Sequence, residues 1–141
     1  MEKFICKKFT RLNDDITNLR TAVFVEEQGF QNEFDQADQT CAHLVLYDDG
    51  KPIATCRYFG EGATYHIGRV AVLKAYRGQN LGSKIMQLAE AEIKKDGGKR
   101  ITLSAQVRAK DFYEKLGYRA SGKTYFDEYC AHIQMVKELP A

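Results

Sequence analysis

The chain has 141 residues, 44% of them apolar, with a net charge of +2 and four cysteines. Such a length and apolar share predict one compact domain over residues 1–141 with a core of its own. No apolar run approaches the length a bilayer span needs, and the cysteines, scattered without a Cys-x-x-Cys pair, favour reduced, mostly buried thiols over disulfides or a metal site.

In chain order, residues 3–9 predict a first strand. Asn13 is a good N-cap with Asp14 and Asp15 in the following turn, which opens a helix running to Gln28 and stopped by Gly29. Its predicted inner face is Ile16, Leu19, Ala22, Val23 and Glu26. Residues 30–40 are acidic and glutamine-rich with no strand or long-helix pattern, and read either as a flexible lid over a site or as a plain surface connection. Ala42–Tyr47 and Ile53–Phe59 are strands joined through Asp48-Asp49-Gly50-Lys51, a strong hairpin signal. Gly60-Glu61-Gly62 turns the chain into a long strand over 63–73, in which Gly68 marks a kink or bulge. A short polar turn carrying Arg77, Gly78 and Gly82 follows. After it come Gly82, Ile85, Met86, Ala89 and Ile93 at helical spacing, closed by Lys94, Lys95 and Gly97-Gly98. Residues 100–106 alternate as a strand, 108–116 form a short helix ending at Gly117, and strands over 118–126 and 129–137 complete the chain.

The strand, turn and helix around Arg77 leave backbone N–H groups pointing one way at the positive end of a helix dipole, a site for an anion such as a phosphate. Spacing sorts the known phosphate loops. Gly78 and Gly82 stand four apart with no third glycine, so the dinucleotide fingerprint fails, and Gly78 to Lys84 is one residue short of the NTPase loop. Arg77-Gly78-Gln79-Asn80-Leu81-Gly82 resembles instead the Arg/Gln-x-x-Gly-x-Gly/Ala loop of the GNAT N-acetyltransferases. Asn80 stands where that family has its first glycine, and Asn tolerates the left-handed backbone better than other side chains.

A second stretch, Ala109-Lys110-Asp111-Phe112-Tyr113-Glu114-Lys115-Leu116-Gly117-Tyr118, is similar to the family's Ala-x-x-Phe-Tyr-x-x-x-Gly-Phe/Tyr signature. Val23 to Gln28, Ile67 to Val72 and His132 to Met135 resemble the small bacterial ElaA-like or YjcF-like branch, so the likeness spans about residues 3–138. It implies an α/β (α+β) acyl-CoA N-acyltransferase fold, a mixed, mostly antiparallel sheet with helices on both faces. It also implies transfer of an acetyl group from acetyl-CoA to an amine, with no metal. In the site so implied, the backbone around Val70, Ala71 and Val72 holds the oxyanion. Arg77, Gly78, Gln79, Asn80, Leu81, Gly82 and Ser83, with Gln106 and Tyr113, hold the cofactor. Tyr113 is the acid for the departing thiolate, and Glu27, His43 and His132 are the candidate bases. A protein that binds acetyl-CoA as a sensor without transfer is the alternative.

Charge is unevenly spread. Residues 1–50 carry five basic and ten acidic side chains, residues 51–141 sixteen and nine. One reading is solvated loops. The other is a basic half for a polyanionic cofactor and an acidic half for a cationic acceptor. No basic stripe is interleaved with aromatics, so nucleic acid is not an expected partner. Lys3, Lys7 and Lys8 break up any leader-like segment, and a cytoplasmic protein without membrane attachment is expected. A homodimer is compatible with this reading.

Overall fold

A computed structural model describes residues 4–140. Seven strands, β1 (Phe4–Phe9), β2 (Ala42–Asp48), β3 (Lys51–Glu61), β4 (Thr64–Val72), β5 (Arg100–Gln106), β6 (Arg119–Asp127) and β7 (Cys130–Glu138), form one sheet in the order β1-β2-β3-β4-β5-β7-β6. Three helices, α1 (Asp14–Arg20), α2 (Leu81–Lys95) and α3 (Lys110–Lys115), lie between them. The expected succession of elements is present, and this is the acyl-CoA N-acyltransferase fold. Lys3, the first residue of the expected opening strand, lies outside the described residues. Among those described, no helix is long and apolar enough to cross a membrane.

Alternation along the strands splits the core in two. Leu44 and Leu46 face α2, whose Leu81, Ile85, Met86, Ala89 and Ile93 are buried against them, while Val45 and Tyr47 face Ile16, Leu19 and Val23 of the first helical segment. The hairpin between β2 and β3 turns on Asp49 and Gly50, both at positive φ, as its sequence requires. Asn13 caps α1 by accepting a 2.9 Å hydrogen bond from the Ile16 amide. Beyond Arg20 the helix continues as a π-helical segment, Thr21–Glu27. That wider winding rotates the inner face away from the predicted one. Phe24 and Arg20 are buried, and Glu26 is exposed.

Two departures from a regular sheet make the site. β4 and β5, the one parallel pair, are matched over three residues only, Thr64–His66 with Arg100–Thr102, and then part. In β4 the register to β3 jumps between Thr55–Ala71 and Arg57–Gly68, so Cys56 faces both Arg69 and Val70. This is a bulge next to the predicted position, but the residue that takes the left-handed backbone is Arg69 (φ 54°), not Gly68.

Residues 30–40 are not a flexible lid. Their carboxylates alternate with three arginines in a closed ring. Arg20 meets Glu33 at 2.8 Å and Asp38 at 2.6 Å, Arg57 meets Asp38 at 2.8 Å and Asp35 at 2.6 Å, and Arg69 meets Asp35 at 3.4 Å and Glu33 at 3.1 Å. Arg20 and Asp38 are each 1% exposed. Burial opposes the Asp38 charge, but hydrogen bonds from Arg20 and Arg57 outweigh it and hold the carboxyl well below the usual carboxylate range. Burial pushes Glu33 upward despite its arginines.

Asp38, depressed on folding, contributes stability that is present above its unfolded pKa and lost as pH falls through the folded value. Glu33, raised on folding, contributes in the opposite sense, its share lost as pH rises through its folded value. Asp38→Asn should therefore cost about 3–5 kcal/mol at neutral pH in chemical denaturation. Below about pH 4 the wild type should lose stability faster than the variant, so the gap narrows. A gap that stays constant with pH would show that Asp38 is not ionised in the fold.

Candidate active site

β4 ends in a 3-10 turn, Lys74–Tyr76, and the chain passes through Arg77 to α2. Gly78 (φ 84°) and Asn80 (φ 60°) both take left-handed angles, so Asn80 has the backbone conformation for which a glycine would otherwise be needed. Its side chain makes no cap. The first bond of the helix runs from the Lys84 amide to the Asn80 carbonyl (3.0 Å). The amides of Leu81, Gly82 and Ser83 therefore have no intrahelical acceptor and point out of the helix end. A Cβ on Gly82 would stand 3.2 Å from the Phe112 ring, a second reason for glycine there.

This loop walls a cavity of about 450 Å³. Of the residues expected to hold a cofactor, Val70, Val72, Arg77, Gly78, Asn80, Leu81, Gly82, Ser83 and Tyr113 line it. Gln79 is exposed and outside the lining, and the Ala71 side chain is buried on the α1 face of the sheet, leaving only its backbone for the predicted role. Gln106 lies further in, giving a 2.8 Å hydrogen bond to Gln28.

Between the parted strands the cavity meets a cleft of about 240 Å³, lined by Gln28, Gly68, Val70, Leu103, Gln106, Tyr113 and His132 among others. Tyr113 borders both spaces. Its ring lies edge-on to Phe112 and Tyr118, and its hydroxyl makes no hydrogen bond to any described residue. Burial pushes its phenol well above the ordinary value.

The three candidate bases separate. His132 is in the cleft, between Phe30 and Tyr125, with Nδ1 3.0 Å from the Cys130 carbonyl. A carbonyl only accepts, so in the neutral ring Nδ1 carries the hydrogen and Nε2 keeps a lone pair. His43 is 1% exposed beneath the acidic loop, its Nε2 3.1 Å from the Asp38 carbonyl, and burial pulls its pKa down. It lies away from the cleft, which corrects its candidacy. Glu27 is engaged by a cation in this structure. Both its oxygens are taken by Arg77, at 2.6 and 2.7 Å, and that pairing holds its carboxyl below the ordinary value, the reverse of what a base needs.

At its far end the cleft shares Ile67, Gly68, Arg69, Leu103 and Ser104 with another cavity, of about 500 Å³. Its remaining walls include Arg57, Phe59, His66, Tyr125 and Gln134. The sequence reading singled out none of these as functional. Their sequence signal is an arginine without charged neighbours inside each of two strands, Cys56-Arg57-Tyr58 and Gly68-Arg69-Val70, because a buried charge must have partners. Within the acidic half expected to draw a cationic acceptor, most of the acids of residues 26–38 have arginine partners. Glu33, Asp35 and Asp38 are matched by Arg20, Arg57 and Arg69, and Glu27 by Arg77.

The four cysteines are unpaired, and burial pushes the thiols of Cys6, Cys41 and Cys56 upward. Among the described residues no group of three or more His, Cys, Asp or Glu is placed to hold a metal.

A sequence model of the acetyltransferase (GNAT) domain matches residues 13–139. The chain belongs to the GNAT family. It is 33% identical to the uncharacterized N-acetyltransferase YjcF of Bacillus subtilis (strain 168), with 98% of this chain and 100% of that one covered. Escherichia coli ElaA superposes with a TM-score of 0.86 at 25% identity, covering 96% and 99% of the two chains. A GNAT family acetyltransferase from Elizabethkingia anophelis, solved with acetyl-CoA bound, shares the fold at a TM-score of 0.78 and 13% identity over 99% and 100%. Membership in this family makes an acyltransferase of the chain.

The His132 hydrogen bond gives a direct check. Long-range proton–nitrogen NMR spectra of the neutral ring should show Nδ1 protonated and Nε2 bare, and the opposite tautomer would remove Nε2 as a base.

Proposed function

We propose that the protein moves an acetyl group from acetyl-CoA directly to an amine, acting as one domain. The observation that carries this is the continuity of the channel. An anion-binding helix end, the Tyr113 hydroxyl and a separate outer cavity lie along one gap between β4 and β5. The free amides of Leu81, Gly82 and Ser83 would take the pyrophosphate, and the unpaired length of β4 beyond His66 would take the pantetheine amides. Arg77 would add charge once a phosphate competes for it with Glu27. A thioester laid against Val70 meets the bulge, where a backbone N–H of Val70 to Val72 can hold the oxyanion. The relative from Elizabethkingia anophelis, with acetyl-CoA bound in the same fold, supports the choice of donor.

His132 is positioned to accept the amine proton at Nε2, directly or through a water. Tyr113 is positioned to protonate the departing thiolate. Its raised pKa does not disqualify it, because the dry surroundings that disfavour a phenolate disfavour a thiolate as well. The two pKa values rise together. Asn80, the loop's departure from the family pattern, takes the left-handed backbone of the glycine it replaces, which counts against the alternative of a sensor without transfer.

The test is acetyl-CoA-dependent thiol release over a panel of amines with a no-amine control. Tyr113→Phe should lower turnover about ten- to a thousandfold while calorimetry shows acetyl-CoA affinity within a few fold. Gly82→Asp, placing bulk against Phe112 and charge against phosphate, should weaken acetyl-CoA binding strongly in a folded protein. Unchanged turnover in the first variant would return Tyr113 to packing, and unchanged affinity in the second would move the phosphate site elsewhere.

A further inference from the structure

Resting on that reading, we infer that the acceptor is an amine that also carries a carboxylate, an amino acid with an apolar or aromatic side chain, and that Arg69 anchors its carboxylate. The outer cavity is lined by Arg57 and Arg69 and by no Asp or Glu. The nearby acids are each paired with guanidinium groups. Glu33 and Asp38 are 5% and 1% exposed, and Asp35, more open, has both oxygens on Arg57 (2.6 and 3.0 Å). Glu61 lies 3.4 Å from His66, which lines the cavity.

Arg57 directs its terminal nitrogens to Asp35 and Asp38. Arg69 is different. Its Nε and Nη2 both donate to the Glu33 carbonyl, at 3.1 and 3.0 Å, and Nη2 reaches Asp35 at 3.4 Å. Its Nη1 makes no hydrogen bond to any described residue, and the side chain is 24% exposed. A guanidinium held along one edge and open on the other presents donors to an oxyanion at no further cost in ordering. A protonated amine or a guanidinium would meet a like charge there.

Position supplies the second half of the argument. Arg69 borders the central cleft as well as the outer cavity, because it sits on the bulge beside Val70. A carboxylate on Arg69 leaves only a short reach to the thioester, which suits an amine one or two carbons from its carboxylate. The cavity, at about 500 Å³, is much larger than those atoms need. Phe59 and His66, stacked at 4.7 Å, and Tyr125 offer flat faces for a side chain.

The experiment compares matched acceptors in the thiol-release assay with the full chain. Phenylalanine is set against phenylalaninamide and phenethylamine, leucine against leucinamide, and spermidine serves as a cationic control. Concentrations are expressed as free base, because the amide's amine is the more acidic. The expected result is a kcat/KM higher for each carboxylate by about ten- to a hundredfold, the range of a charge-assisted contact. Arg69→Gln should bring that ratio towards one, and because Arg69 also holds the β4 bulge, any fall in turnover should be shared by the carboxylate and amide acceptors alike. If that variant does not fold, Arg69→Lys keeps the charge and loses the fork, and the wild-type ratio is decisive by itself. A wild type that prefers the amides, phenethylamine or spermidine overturns the inference and leaves acetyl transfer standing, as does acetyl-CoA binding with no carboxylate accepted. Absence of both binding and thiol release overturns the proposed function itself.

Discussion

A closed ring of three arginines and three carboxylates holds the strand distortion on which the channel depends. Arg20, Glu33, Arg69, Asp35, Arg57 and Asp38 alternate in sign around it, and each touches two of the opposite charge. Burying such ions is expensive, of the order of several kcal/mol each, and a ring offsets this where a single pair would not, because every charge is met twice. The ring also ties together the first helix, the acidic loop, β3 and the β4 bulge. Arg69 is the member with a backbone penalty, about 1–2 kcal/mol for a left-handed residue with a side chain. Its guanidinium hydrogen bonds to Glu33 and Asp35 are of a size to outweigh that penalty.

What the ring fixes, the sheet then uses. With two residues of β4 opposite Cys56, the strand twists more strongly and swings from β5 just where parallel pairing ends at His66 and Thr102. The gap leaves backbone donors of β4 unclaimed by a neighbouring strand, and a buried cleft with unclaimed donors is suited to an amide-bearing chain and a developing oxyanion. Each end of the gap is marked by an arginine. Arg77 at the helix end is paired with Glu27, and Arg69 at the far end is paired with Glu33 and Asp35 but keeps an open edge.

The parts of this arrangement that are local were legible in the sequence. Asn13, the Asp49-Gly50 turn, the spacing of Ile85, Met86, Ala89 and Ile93, and the loop from Arg77 to Ser83 each owe their structure to neighbours within a few residues. The ring left no such trace. Arg20 is 13 and 18 residues from its acids, and Arg69 is 36 from Glu33. A run of acids without nearby bases therefore reads as a solvated surface although two of them, Glu33 and Asp38, are buried. The π-helical winding after Arg20 was equally invisible, since the same side chains fit an ordinary helix until Phe24 and Arg20 must both turn inward.

The histidines show where a sequence pattern stops deciding. His43 and His132 both sit in strands, and either could be a base by residue type. Strand partner and face separate them. His43 pairs with Arg57 and is shut beneath the charged loop, whereas His132 pairs with Gln106 and Tyr125 at the lip of the parted strands. A separate set of contacts ties the β6–β7 turn to the edge of the gap. The Glu128 carboxylate accepts from the amides of Gln31 and Asn32, and the Tyr129 hydroxyl donates to the Gln28 carbonyl. His132 is held beside Phe30 and Tyr125 by a turn anchored to the acidic loop, and that loop is anchored by the ring. The arginines that shape the acceptor end thus also position the base, so the charge of the site and its geometry cannot be varied independently.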